Sequence, residues 1–218
     1  MNRPTRLVTA ALTVSAALLL AACGSGGGSD STSGKIKGAD DGTGKASAPA
    51  GDATSAAPGG AKRPVITFPS DFQVEFEGWT NSDPKLQAIL NDGREELKSE
   101  YAAIIAADSN LDAVTFYNSG ESLTSAHKWI KSFVDDDNSL TGAIRVFTPK
   151  AAISDTGSAA LFFCVDERKS STKNRKTHKV VHTPDEADSV LQYRAKLQKS
   201  GQGVWKTVYV DTIAGGCR

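Results

Sequence analysis

Apolar residues recur at helical spacing through Leu86, Ile89, Leu90, Leu97, Tyr101, Ile104 and Ile105, so residues 84 to 107 read as one long amphipathic helix. Asp83-Pro84 stands at its start, a side-chain N-cap followed by proline at the first helical position. Gly93 interrupts the stripe and marks a close crossing or a slight bend. A second, shorter helix opens near Asn118, with Glu121 three residues on in a capping-box variant. Its apolar face is Leu123, Ala126, Ile130, Phe133 and Val134. Asp135-Asp136-Asp137 opposes the negative end of that helix and should stop it.

The rest of the folded region has the period of strands. Ahead of the long helix, Phe72, Val74 and Phe76 alternate with polar residues, as in a short strand or extended cover. After Ser139, residues 143 to 148 and 159 to 166 are β-rich, separated by the turn residues Ser154-Asp155-Thr156-Gly157-Ser158. Ser170 to Asn174 reads as a polar turn and Lys176 to His182 as a strand. From Val190 to Gln198 the alternation is strict. Leu191, Tyr193, Ala195 and Leu197 face one way; Gln192, Arg194, Lys196 and Gln198 face the other. One dry face and one wet face is the pattern of an antiparallel sheet, and the wet row argues for a monomer. Gly201-Gln202-Gly203 turns into a last strand, Val204 to Ile213. Helices first and an antiparallel meander afterwards make an α+β fold, with the helices packed on one face of the sheet.

Composition changes the picture upstream. From Gly24 to Arg63 the chain is Gly, Ser, Ala, Thr, Asp and Pro with almost no large apolar side chains, so it is expected to be disordered. As a flexible coil, some 40 residues span about 35 Å. Before it, Arg3 and Arg6 precede an apolar run from Leu7 to Leu20, the charged and apolar regions of a secretory signal. The run is too short to cross a bilayer. It resembles a bacterial lipoprotein signal, with Leu20-Ala21-Ala22-Cys23 as the lipobox. That resemblance implies removal of residues 1 to 22 and acylation of Cys23 (palmitate or a similar chain). The membrane is then a partner through lipid, and the chain is a cell-membrane lipoprotein on the extracytoplasmic face. The domain plan is therefore a signal peptide over 1–22, a lipidated tether over 23–63 and a single α+β domain over 64–218.

Charge selects no partner. With 25 Lys and Arg against 25 Asp and Glu, no global field favours nucleic acid. Acylation of Cys23 would leave two of the three cysteines, and an even remainder in an exported chain reads as one disulfide, Cys164–Cys217.

The order of elements over residues 65 to 215 resembles the nuclear-transport-factor-2-like (NTF2-like) superfamily. In that fold a long first helix and a shorter second helix pack on a curved antiparallel sheet, a cone, although the small helix usual between its strands is not legible here. The resemblance implies that ligands bind inside the cone. Ketosteroid isomerase-like and polyketide cyclase-like members use an Asp or His there as a general acid or base. Asp166, Asp211 and His127 are the ionisable groups nearest apolar strand or helix faces. A carboxylate buried there would have a raised pKa and could act as a base. No partner group is spaced to serve them, so no catalytic residue is assigned.

Asp155-Thr156-Gly157-Ser158 resembles an aspartic-protease loop, but it occurs once and reads better as a hairpin turn. The basic segment Arg168, Lys169, Lys173, Arg175, Lys176 and Lys179, with His178 and His182, reads as a solvated hairpin whose lysines protect a sheet edge, with contact to lipid headgroups or anionic cell-wall polymer as the alternative. The two histidines would lie about 13 Å apart on a strand, too far to share a metal, so neither a metal nor another cofactor is assigned. The functional expectation is a non-catalytic binding or scaffold domain for an envelope protein or small ligand. A small cofactor-free isomerase or cyclase acting inside the cone is the alternative.

Overall fold

The computed structural model describes residues 60–217; the signal segment, Cys23 and the tether up to residue 59 lie outside the described residues. Strand β1 is Phe72–Phe76, with Phe72 buried and Gln73 and Glu75 in solvent, the alternation read from the sequence. Helix α1 runs Pro84–Ala106, and the Asp83 carboxylate caps it by accepting from the Lys85 amide at 2.7 Å. At its other end Ala107 turns left-handed with its amide donating to the Ile104 carbonyl, and the Arg175 guanidinium donates to the carbonyls of Ile104 and Ile105.

Two further helices follow where the periodicity showed one. Helix α2, Asp112–Tyr117, has only six residues, too few for a helical period to register. Helix α3, Gly120–Asp135, is capped at Ser119, not Asn118. Asn118 instead closes α2, accepts a hydrogen bond from the Ser122 hydroxyl at 2.7 Å and bridges to Thr207 of the last strand. The helix ends within the acidic triplet, as its dipole requires.

The remaining strands are β2 (Asn138–Ile153), β3 (Ala159–Asp166), β4 (Ser170–Asn174), β5 (Val180–His182), β6 (Val190–Lys199) and β7 (Trp205–Ile213). They lie in the order β5-β4-β2-β3-β6-β7, with every pairing antiparallel, and β1 pairs parallel to β2. Strand β2 is long enough to hold β4 along residues 138–142 and β3 along 145–153. Its register with β3 shifts between Phe147 and Lys150, where Thr148 has φ 49° and Pro149 offers no amide to the ladder. A bulge of this kind bends a strand and lets a sheet curl around what it covers.

The hairpin after β3 departs from the sequence reading. Ser170–Asn174 is a strand, not a turn, because Ser170 and Ser171 are covered and pair with β2. The predicted strand Lys176–His182 is mostly turn: the Asn174 carboxamide oxygen accepts from the amides of Lys176 and Thr177, leaving only Val180–His182 to pair. A single 3-10 turn, Ala187–Ser189, supplies the short helical element between strands.

One face of the sheet packs on the helices. Leu161, Phe163 and Val165 of β3 meet Ile89, Leu97 and Ile104 of α1 and Ile130 of α3 in one core. Each such side chain contributes about 2 kcal/mol by burial. Gly93 is the close crossing read from the sequence: a Cβ there would lie 2.3 Å from Leu161 Cδ2. Cys164 alternates with Phe163 and Val165, so it points to the outer face. The chain beyond β7 folds back across β6, with Gly216 against Gln192, and brings Cys217 to disulfide distance of Cys164 (Cα–Cα 6.0 Å).

Candidate functional site

The packing of α1 and α3 on the sheet is incomplete at one end. There a cavity of about 440 Å³ opens between the helices and the inner face of the strands. Its walls are mostly apolar: Trp129 and Phe133 from α3, Ile144 from β2, Leu191 from β6 and Val210 from β7. Four ionisable groups break that lining. Glu100 and Tyr101 come from α1, Glu167 from the β3–β4 connection and Tyr193 from β6.

Helix α1 carries acids into the interior because Asp92, Glu96 and Glu100 are spaced i, i+4, i+8, one above the other on one face. All three are buried. Asp92 bolts the helix to the sheet: one carboxylate oxygen accepts from Arg63 at 2.7 and 3.1 Å, the other from the Trp205 amide at 2.8 Å. Burial raises its pKa, while the Trp205 and Arg63 hydrogen bonds hold the rise back. One turn on, burial pushes Glu96 up to about 7, with Glu100 and Asn118 beside it pulling the other way. A further turn on, Glu100 is pushed well above the usual carboxylate range, by burial first and by the neighbouring Glu96 carboxylate second. Two carboxyls so close cannot both ionise cheaply, so the pair holds a proton near neutrality.

Glu167 faces the same cavity, pushed up to about 6 by burial and by the adjacent Asp166 charge. The Tyr101 hydroxyl is buried and has no hydrogen-bond partner. Burial, together with Tyr193, Glu167, Glu100 and Glu96 around it, drives its pKa up. Tyr193 stacks on Phe163 with ring centroids 4.9 Å apart, which fixes its ring in the cavity wall, and its own pKa is likewise raised by burial. The arrangement offers hydrogen-bond donors and acceptors within a largely apolar cavity, the usual form of a small-molecule site.

None of the three ionisable groups singled out from the sequence lines this cavity. Asp166 alternates with Val165 and so points outward, where Arg168 binds both its oxygens at 2.9 and 2.7 Å. That ion pair lowers its pKa, the reverse of what a base needs. Asp211 is exposed and pairs across the ladder with exposed Arg194. His127 is half-buried on α3 with Nε2 unpartnered, outside the cavity wall. The residues that do line it, Glu100 and Glu167, went unnoticed. The one sequence signal for Glu100 is the spacing of Asp92, Glu96 and Glu100 at i, i+4, i+8, which puts three acids on one face of the helix.

Asp155-Thr156-Gly157-Ser158 is the β2–β3 turn, closed by the Ser154 amide donating to the Ser158 carbonyl at 2.8 Å. In the basic segment, Arg175 caps α1, Arg168 holds Asp166 and Lys176 meets Asp137 at 2.7 Å. Among the described residues no three His, Cys, Asp or Glu side chains cluster as metal ligands, and no helix is long and apolar enough to cross a membrane.

No protein-family model and no curated protein matches the sequence. Solved structures share parts of the layout. The intermembrane space region of the chloroplast protein ARC6 is 12% identical, with 62% of this chain and 99% of that one covered, at a TM-score of 0.41. A ketosteroid isomerase-like protein from Erwinia carotovora atroseptica is 17% identical over 60% and 95% of the two chains, at 0.40. A putative aromatic ring hydroxylase from Novosphingobium aromaticivorans is 9% identical over 57% and 87%, at 0.41. Likenesses this slight carry no argument about what this chain binds, and its site is read from its own residues.

Proposed function

We propose that this chain is a lipid-anchored, extracytoplasmic domain of NTF2-like architecture that binds a small amphipathic molecule in the cavity between α1, α3 and the sheet. The observation that carries this reading is the cavity itself. It is roomy, apolar along its walls and polar at Glu100, Tyr101 and Glu167. A ligand entering it would bury its hydrocarbon against Trp129, Phe133 and Leu191 and satisfy the idle Tyr101 hydroxyl. The order of elements, with a long first helix under a bulged antiparallel sheet, supports the NTF2-like assignment.

Anchoring rests on the lipobox at Cys23. Cys23→Ser should move the protein from the membrane fraction to the aqueous fraction of fractionated cells; unchanged partition would rule the anchor out.

Ligand binding is tested by calorimetric titration of 4-phenylbutanol, a neutral amphipathic probe, into the full chain. Ser125→Phe with Thr212→Phe, both exposed positions on the cavity wall, should plug the entrance from α3 and from β7 and abolish the binding.

A second reading, a cofactor-free isomerase or cyclase, is favoured by one observation. A carboxyl held protonated near neutrality, Glu100, shares the cavity with the unpartnered Tyr101 hydroxyl. Such a pair can donate hydrogen bonds to a developing oxyanion, with Glu167 as the base.

A further inference from the structure

The ionisable groups on the cavity wall are all of one kind. Helix α1 contributes Glu100 and Tyr101, with Glu96 behind them; the β3–β4 connection contributes Glu167 and β6 contributes Tyr193. The α3 wall, Trp129 and Phe133 among it, carries no titratable side chain, and among the described residues no Lys, Arg or His lines the space. Outside the wall, Asp166 sits next to Glu167 with its charge already spent on Arg168. These acids therefore lack a countercharge that the protein supplies to its other buried acid, Asp92, through Arg63. The Tyr101 hydroxyl, in a residue only 1% exposed, also lacks a hydrogen-bond partner, and its oxygen can accept from a donor placed in the cavity.

Aromatic rings complete the setting. Trp129 lies edge-on to Tyr101 on one side and Phe133 on the other, at centroid distances of 6.1 and 5.6 Å, and Tyr193 lies in the opposite wall. Carboxylates, phenol oxygens and aromatic faces all attract a positive charge, whereas an anion would find only the O–H donors of the phenols and of a protonated carboxyl.

We infer that the ligand of this cavity is an organic cation: a protonated amine on an apolar body, its ammonium held by Glu100, Glu167 and the Tyr101 oxygen among the aromatic rings. The inference rests on the cavity reading and narrows it to a charge class. A bound ammonium favours the ionised carboxylates, so binding releases protons and strengthens as pH rises from about 5.5 to about 8. An anionic ligand would meet the opposite field.

Three probes on one carbon frame make the test: 4-phenylbutylamine, 4-phenylbutanol and 4-phenylbutyrate, titrated by calorimetry into the full chain at pH 7.5. The amine is expected to bind at least tenfold more tightly than the alcohol, with the carboxylate weakest. Glu100→Gln should close most of the gap between amine and alcohol. Glu167→Gln, at a less buried position, provides the same comparison should the first variant not fold. Alcohol or carboxylate binding as tightly as the amine would overturn the charge class and leave the cavity reading standing. An amine preference unmoved by either variant would place the cation elsewhere and overturn the inference. No binding by any probe at millimolar concentration would overturn the inference and the cavity reading together.

Discussion

Replacing Cys164 and Cys217 by alanine should lower the melting temperature by about 10 °C. The two residues are 53 apart in sequence, and closing such a loop in the unfolded chain is worth about 4 kcal/mol in the chain-entropy account. The native geometry gives that link a specific job. Cys164 projects from the outer face of β3, and the segment Gly215–Cys217 crosses over β6 to reach it, with Gly216 pressed on Gln192. The link therefore clamps β6, and through it β7, to the centre of the sheet. Those two strands carry Leu191, Tyr193, Val210 and Thr212 of the cavity wall. Loosening them should weaken ligand binding along with stability. Melting curves of the unmodified chain with and without a reductant, beside the double alanine variant, measure both. Identical melting with and without reductant would show that the two sulfurs are not joined.

Stability should also peak on the acid side, near pH 5, and fall as the solution is brought to neutrality. Each pKa unit by which folding raises a carboxyl is about 1.4 kcal/mol lost once the group ionises. Glu167, raised from the usual 4.5 to about 6, withdraws about 2 kcal/mol by this count. Glu96 and Glu100 act in the same direction, as does Asp92. The sign follows from proton counting. Between about pH 4.5 and 7 the folded chain holds more protons than the unfolded chain, so raising the pH favours unfolding. Asp166, lowered by Arg168, works the other way: its stabilisation is lost only as pH falls below the usual Asp range. Glu100→Gln removes one of the raised carboxyls and should raise the melting temperature by about 3 °C or more at pH 8 and leave it unchanged at pH 4.5. Thermal melts of both proteins across pH 4 to 8 measure this. A wild-type optimum at neutral pH with no gain in the variant would mean that the acids of α1 are solvated or paired.

Stability given up at Glu100 and Glu167 is what a binding site looks like in energetic terms, since a core built for stability alone would carry leucine there. Much of the frame around them was legible in the chain. The 3.6-residue period and the Asp83-Pro84 start located α1, and strict alternation located β6 with its dry face inward. The turn residues at 154–158 bounded β2 and β3, although β2 runs well past the apolar run that revealed it. The failures have physical reasons. Helix α2 has fewer than two turns, too few for a period to register, and the strand Ser170–Asn174 is made of polar residues, of which Ser170 and Ser171 are covered by pairing with β2. Asp166 and Asp211 were misplaced because a strand offers two faces, and apolar neighbours one residue away lie on the other face. Glu100 was passed over because a charged residue in an amphipathic helix is ordinarily its wet side. Here α1 has hardly any wet side, since the sheet, α2, α3 and β7 surround it.

The claim on which the rest depends is that the space between α1, α3 and the sheet takes up a small amphipathic molecule. Calorimetric titration of 4-phenylbutanol into the full chain and into its Ser125→Phe/Thr212→Phe variant, side by side, tests it most directly. Saturable binding at one site in the unmodified chain, lost when the cavity mouth is plugged, is the predicted result. Equal binding by both proteins, or none by either at millimolar probe, would contradict it.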